Sequence, residues 1–168
     1  MQQRDGLIMG PLRDRDDATV AAQCRLHRMR RTLAGVATLD DPAVKALLDA
    51  PTYAVISTLN PDGSIHSTVV WQEVVDGALS MNSAVGRHWP DNLDADPRVT
   101  VLVMAQGNPY EYVEIRGTAT ATTDGADAQI DRLAKKYIGQ DRYPFRAEGE
   151  QRVRFVVTAD RVRHQKQG

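Results

Sequence analysis

The chain has 168 residues, 42% of them hydrophobic and 26% charged, with a formal net charge of −1; this predicts one domain able to bury its own core and argues against a nucleic-acid partner, which favours a basic surplus. One cysteine, Cys24, excludes an internal disulfide or a cysteine metal cluster and suits the cytoplasm. No apolar run nears the roughly 18 residues of a membrane span, the first residues lack a signal-peptide core, and His27, His66, His88 and His164 have no ligand-like spacing, so no metal site is expected.

Residues 1–38 read as an N-terminal arm. Arg4, Arg13, Arg15, Arg25, Arg28, Arg30 and Arg31 crowd it and its apolar stretches are short, which suits a mobile tail; the stretch from Thr19 to Leu33 could also form a helix. Residues 39–168 read as the folded domain. Asp41 is placed to cap a helix starting at Pro42, with Val44, Leu47 and Leu48 on one face. Thr52–Leu59 is a strand, Asn60-Pro-Asp-Gly63 a turn in which proline presets φ and glycine permits positive φ, and Ser64–Val75 the returning strand of a hairpin. Asp76-Gly77 is a second tight turn before a strand at Ala78–Asn82.

Val99–Met104 reads as a buried strand and Gln106–Pro109 as a loop. Tyr110–Thr123 is a long strand that places Tyr112, Glu114, Arg116 and Thr118 on one side, Val113 and Ile115 on the other. Arg116 is expected to pair with Glu114 or Glu73. Asp124 is placed to cap a helix running to Ile138, with Ile130, Leu133, Ala134, Tyr137 and Ile138 as its apolar stripe and Gly139 as its stop. Gln151–Val162 is the last strand. About six strands joined by hairpins, without βαβ alternation, predict a mainly β, α+β fold: a six-stranded antiparallel barrel with flanking helices.

The segment Asn82–Val99 carries the chemistry. It leaves a strand and enters a short helix, presenting backbone N–H groups to an anion. Ser83 adds a hydroxyl, Gly86 permits close approach, Arg87 offers a planar fork of donors, and His88 a further donor. The residues alone leave open a plain surface turn with a solvated arginine.

The strand Ala54–Leu59, then Pro61-Asp-Gly-Ser64, Ser67-Thr-Val-Val-Trp71, Ser83-x-x-x-Arg87, Asn92-Leu93, Asp96-Pro-Arg-Val99 and Glu114-Ile-Arg-Gly-Thr118 resemble, in order and spacing, the pyridoxamine-phosphate-oxidase-like split β-barrels (FMN-binding-protein-like). They are most similar to the branch that uses the deazaflavin coenzyme F420. The resemblance spans Asp41 to Val162. It implies a homodimer with the cofactor at the subunit interface, Ser83 and Arg87 holding its phosphate, Asn82, Gly86 and Asn92 forming and supporting the loop, and Ser67, Val69, Val70 and Trp71 lying along the ring system. A lysine commonly follows the arginine in that family; here it is His88.

Trp71 fits either a packed core or interface position or a wall of the ring pocket. His66 reads as a solvent-facing polar residue, Tyr137 as core, and Tyr143-Pro-Phe145 as a folded-back loop over the pocket. No catalytic triad or carboxylate pair has a local signature, which agrees with chemistry carried by a cofactor, and no catalytic residue is assigned. The expected function is F420-dependent reduction of a small organic substrate. An FMN-dependent oxidoreductase of the same fold, or a non-catalytic flavin- or haem-binding protein, are the alternatives. No nucleic acid and no membrane are expected as partners.

Overall fold

The computed structural model describes residues 37–167. The expected arm, Ala37 and Thr38 apart, and the Thr19–Leu33 helix lie outside the described residues. Helix α1 spans Pro42–Asp49. Proline sits well at its first turn because the missing N–H has no helical partner there. Asp41 does not cap α1 with its side chain. Its carboxylate turns back and accepts from the Thr38 backbone N–H at 2.9 Å. Val44 and Leu48 are fully buried and Leu47 nearly so.

Strands β1 (Ala54–Leu59), β2 (Ile65–Val70), β3 (Gln72–Val75) and β4 (Ala78–Ala84) follow. Then come helix α2 (His88–Ala95), strands β5 (Arg98–Ala105) and β6 (Asn108–Thr122), helix α3 (Ala126–Ile138) and strand β7 (Arg152–Gln165). The sheet holds seven strands in the order β2-β1-β5-β6-β7-β4-β3, with every pairing antiparallel. The expected count was six, because Ser64–Val75 reads as one strand. It breaks at Trp71: β2 pairs with β1, and β3 pairs with β4. The two ends of the strand order are therefore the two halves of one chain passage. The sheet curls until its edges meet at Trp71, the split barrel that the motifs implied.

Alternation along each strand builds the interior. Ala54 and Ile56 on β1, Val99, Val101 and Val103 on β5, Val113 and Ile115 on β6, and Phe155 and Val157 on β7 are buried together. The chain needs glycine at 117, where β6 bulges against β7. A Cβ at Gly117 meets the Thr158 carbonyl oxygen, closer than any packed contact allows. Asp76 and Gly77 both have positive φ, as the expected tight turn requires. Gly139 closes α3 in the left-handed conformation, which a residue without Cβ adopts at little cost. Gly125, not Asp124, stands at its N-cap. On α3, Ile130, Leu133 and Ala134 are buried, Tyr137 is half-buried and Ile138 is exposed.

Candidate functional site

Because β2 is bonded to β1 and β3 to β4, β2 keeps one edge unpaired among the described residues. Beside it lies a cleft of about 390 Å³, within the range of small-molecule and cofactor sites. β2 contributes His66, Thr68, Val69 and Val70, followed by Trp71 at the break. Facing them are Asn82 on β4, Arg87 to Trp89 at the start of α2, Ile130 on α3, and Arg152 on β7. Tyr53 and the loop residues Tyr143 and Phe145 complete the lining.

One wall is aromatic. Trp71 stacks on Tyr137 with centroids 5.2 Å apart and planes 2° from parallel. Tyr143 meets Trp71 edge-on at 5.9 Å and Phe145 at 5.7 Å, in a favourable aromatic geometry. The strand break behind Trp71 leaves backbone groups without ladder partners, and α3 supplies them. The Tyr137 hydroxyl accepts from the Gln72 N–H at 3.1 Å and donates to the Thr52 carbonyl at 2.9 Å. Lys136 Nζ donates to the Leu48 carbonyl at 2.6 Å and the Gln72 carbonyl at 2.9 Å. Burial pushes the Lys136 ammonium down to about 8, against the partial support of Asp49 and Glu73. Burial likewise raises the Tyr137 hydroxyl above its ordinary value, so the tyrosine remains a neutral donor.

The other wall is polar. Arg152 is 2% exposed at its side chain. Its guanidinium lies 4.5 Å over the Tyr143 ring, a cation–π contact. Nη2 is 2.5 Å from Glu150 Oε1, off the hydrogen-bonding axis, so the contact is an ion pair and not a directed hydrogen bond. Nε has no hydrogen-bond partner. Arg87, 54% exposed, is held only loosely, 3.8 Å from the other oxygen of Glu150. The Val85 N–H donates to the Gln151 carbonyl at 3.0 Å, which ties the loop before α2 to the segment that carries Glu150.

His88 is oriented by a directed chain of hydrogen bonds. The Asp62 carboxylate can only accept, and it takes the Ser64 hydroxyl at 2.6 Å. That contact and the Ser64 N–H hold Asp62 below the usual carboxylate range. Ser64 Oγ in turn accepts from Asn60 Nδ2 at 2.9 Å. Asn60 Oδ1 is therefore the acceptor for both Asn92 Nδ2 and His88 Nε2, each at 2.8 Å, and His88 donates through Nε2. The Asn60-Pro-Asp-Gly63 turn thus fixes the start of α2. Asn92, buried, also donates to Thr58 Oγ1 at 3.0 Å.

Of the residues expected at the site, Val69, Val70, Trp71, Asn82, Arg87 and His88 come together around the cleft. Asn92 supports the loop from behind. Ser67 lies on the outer face of β2 with its hydroxyl 2.9 Å from that of Ser57. Ser83 is buried with an unpartnered hydroxyl and, by strand alternation, on the face of β4 opposite Asn82. Gly86, at φ 82°, borders a separate depression with Val85, Pro90, Asp91 and Asp94.

His66 is not simply solvent-facing. It is half-buried, with its ring 4.6 Å from that of His88. Arg116 pairs with Glu114 at 2.7 Å, as expected, and Glu73 with Arg132. The sequence reading missed Arg152, Glu150, Asn60 and Thr68. Arg152 and Arg154 alternate in a strand like ordinary surface residues, so only the fold reveals that one of them is buried. Tyr143 and Phe145 do fold back over the cleft.

Residues 40–166 match the family described as pyridoxamine 5'-phosphate oxidase. A solved F420 reductase is 28% identical with a TM-score of 0.64, over 71% of this chain and 94% of that one. A conserved hypothetical protein from Mycobacterium tuberculosis shares the fold at 21% identity and a TM-score of 0.62, over 79% of this chain and 88% of that one. A putative pyridoxamine 5'-phosphate oxidase from Listeria innocua does so at 18% and 0.56, over 72% and 94%. No curated protein matches the chain. Among the described residues no helix is long and apolar enough to cross a membrane.

Proposed function

Because the chain belongs to the pyridoxamine 5'-phosphate oxidase family, we propose that it is an oxidoreductase that binds coenzyme F420 in the cleft beside β2 and reduces a small organic substrate. The observation that carries this reading is the pairing, within one cleft, of an aromatic wall with a guanidinium left largely uncommitted. A deazaflavin needs both: a flat apolar surface for its ring and a cation for its phosphate. The 28% identity to an F420 reductase supports this cofactor over FMN.

The donor set suits the group. Arg87 has a weak partner and offers two parallel N–H bonds to phosphate oxygens. Arg152, buried with Nε unpartnered, has its charge balanced by Glu150 and lines the cleft as a hydrogen-bond donor. His88, its Nε2–H held by Asn60, presents Nδ1, which donates to a phosphate only when the ring is protonated. When bound, the cofactor supplies the hydride chemistry. The protein's share is to orient the ring against Trp71 and the free edge of β2, and to keep water out with Tyr143 and Phe145.

A second copy of the chain is proposed to complete the cleft. On the outer face, Ile65 and Val69 are 72% and 63% exposed. They stand opposite Leu59 and Val55, and Val55 opposite Leu102, an apolar strip of the kind that marks an interface. Sedimentation at micromolar concentration is expected to give a dimer; a monomer removes this part of the proposal.

The test of function is fluorescence titration of F420 and FMN into the wild type and Arg87→Ala. Wild type is expected to bind F420 more tightly than FMN. Arg87→Ala is expected to lose about tenfold to a hundredfold in affinity, the range for a charge-assisted hydrogen bond. Equal affinity of the two proteins removes Arg87 as the phosphate anchor. Tight FMN binding without F420 binding makes it a flavin protein instead. Binding without turnover of any reducible substrate places it among the non-catalytic carriers.

A further inference from the structure

We propose that Glu150 sets the charge of the cleft so that it receives a phosphodiester in preference to a phosphomonoester, which makes this carboxylate a specificity-determining residue. The inference rests on the reading that a cofactor phosphate sits at Arg87, and it explains how the cleft distinguishes two cofactors with similar rings. F420 joins its ring chain through a phosphodiester with one charge, whereas FMN ends in a monoester with close to two at neutral pH.

Glu150 is not among the residues lining the cleft. It stands behind the lining, 12% exposed, with one oxygen 2.5 Å from Arg152 Nη2 and the other 3.8 Å from Arg87 Nη2. The short contact neutralises the buried guanidinium of Arg152, as a buried charge requires. The long contact leaves Arg87 as the cation free to engage a ligand. Two arginines and one carboxylate leave a formal charge of +1 for the incoming phosphate.

A singly charged diester is matched by that site. A dianion gains twice the attraction to Arg87 but also meets twice the repulsion from Glu150, and its desolvation cost grows faster than its charge. Its second charge enters with no partner. Other acidic groups nearby do not alter the balance. Asp91 and Asp94 face the separate depression across the loop, and Asp62 lies at the far end of the Asn60 hydrogen-bond chain. His66, His88, Tyr53 and Tyr143 are the other titratable lining groups, so the test is run at pH 8.5, above the ordinary histidine range and below the ordinary tyrosine range.

The experiment uses the full chain loaded with whichever of F420 and FMN binds as a fluorescent reporter. The reporter is displaced by two probes that differ in phosphate charge: phenyl phosphate, a dianion, and methyl phenyl phosphate, a monoanion. Wild type is expected to release the reporter to the diester at severalfold lower concentration. Removing a carboxylate several ångströms away strengthens binding by about threefold per phosphate charge in a water-like medium. Glu150→Gln is therefore expected to gain about threefold for the diester and about tenfold for the monoester, which closes the gap. Glu150→Gln/Arg152→Gln restores the charge of +1 and is expected to restore the wild-type order.

Equal displacement by the two esters in the wild type overturns the proposal, as does failure of both to displace. An unchanged ratio in a cooperatively melting Glu150→Gln protein also overturns it. If Glu150→Gln does not fold, the wild-type ratio decides. Reporter binding without ester discrimination leaves the proposed function standing, whereas binding of neither F420 nor FMN removes both.

Discussion

The two walls of the cleft are built on opposite principles. The aromatic wall is over-determined: Trp71 is stacked on Tyr137, and the N–H and C=O of the next residue, Gln72, are bonded by Tyr137 and Lys136. The polar wall is left under-committed, with Arg87 half-exposed and 3.8 Å from its partner. The difference teaches where stability and function separate. Side chains that satisfy a buried strand break cannot be altered without loss of stability. A cation with a weak partner costs little to rearrange and is free for a ligand.

The largest expected effect breaks the first wall. Tyr137→Ala removes a stacked ring and the hydroxyl that bonds Gln72 and Thr52. A loss of about 3 kcal/mol is expected, toward the lower end for aromatic truncation because Tyr137 is half-buried, or a fall in melting temperature of roughly 6–12 °C. Calorimetry measures it. A melting temperature within about 1 °C of wild type would show that the α3 contacts do not hold the break. Arg87→Ala, by contrast, is expected to leave the melting temperature unchanged while cofactor affinity falls.

A smaller effect sharpens the comparison within the polar wall. Asn60→Ala touches no ligand, yet it removes the acceptor shared by His88 and Asn92. Cofactor affinity is expected to fall by about fivefold, for roughly 1 kcal/mol of lost positioning, and His88→Ala to cost no more than this. Titration beside Arg87→Ala ranks the three. If His88→Ala costs more than Arg87→Ala, the histidine and not the arginine is the principal phosphate donor.

The pH dependence of stability separates the walls again. Lys136 loses its proton near pH 8 when folded and near 10.4 when unfolded. Between these values the unfolded chain binds more protons, so this group makes stability rise with pH. Below pH 8 both states are protonated and the full penalty of the buried ammonium remains. Above pH 10 the raised Tyr137 hydroxyl acts in the opposite sense, since the folded protein keeps a proton that the unfolded chain loses. Urea melts from pH 7 to 10 are expected to show a rising contribution in wild type that Lys136→Met lacks. Parallel profiles would remove the assignment.

The smallest effect concerns the N-terminal residues. Deleting 1–36 is expected to leave the melting temperature nearly unchanged. Deletion through residue 41 removes Ala37, which bridges to Val162, and Leu39, which is buried. That cut is expected to lower it. A large loss from the shorter cut would show that the arm packs on the barrel, and that the domain boundary near residue 38 is wrong.

The sequence by itself determined what depends on local periodicity and turn chemistry. The alternation of Tyr112 to Thr118, the stripe from Ile130 to Ala134, the glycine stop at 139 and the Asp76-Gly77 turn each express a backbone preference that neighbouring residues settle, and all are found in the structure. The order of the family motifs carried the barrel and the loop before α2 with them. Tertiary structure alone decided the rest. The strand Ser64–Val75 breaks at Trp71 because its two halves pair with β1 and β4 at opposite ends of the curled sheet, which no local propensity encodes. Arg152 is buried and Arg116 exposed, though both are arginines in alternating strands, because only the approach of α3 and the loop at 139–151 covers one of them. Asn60 and Glu150, far from Arg87 in the chain, act on its loop through contacts 32 residues apart, between Asn60 and Asn92, and 63 residues apart, between Arg87 and Glu150. Burial and long-range pairing are properties of the closed barrel, and they select which of many similar side chains can serve as a site.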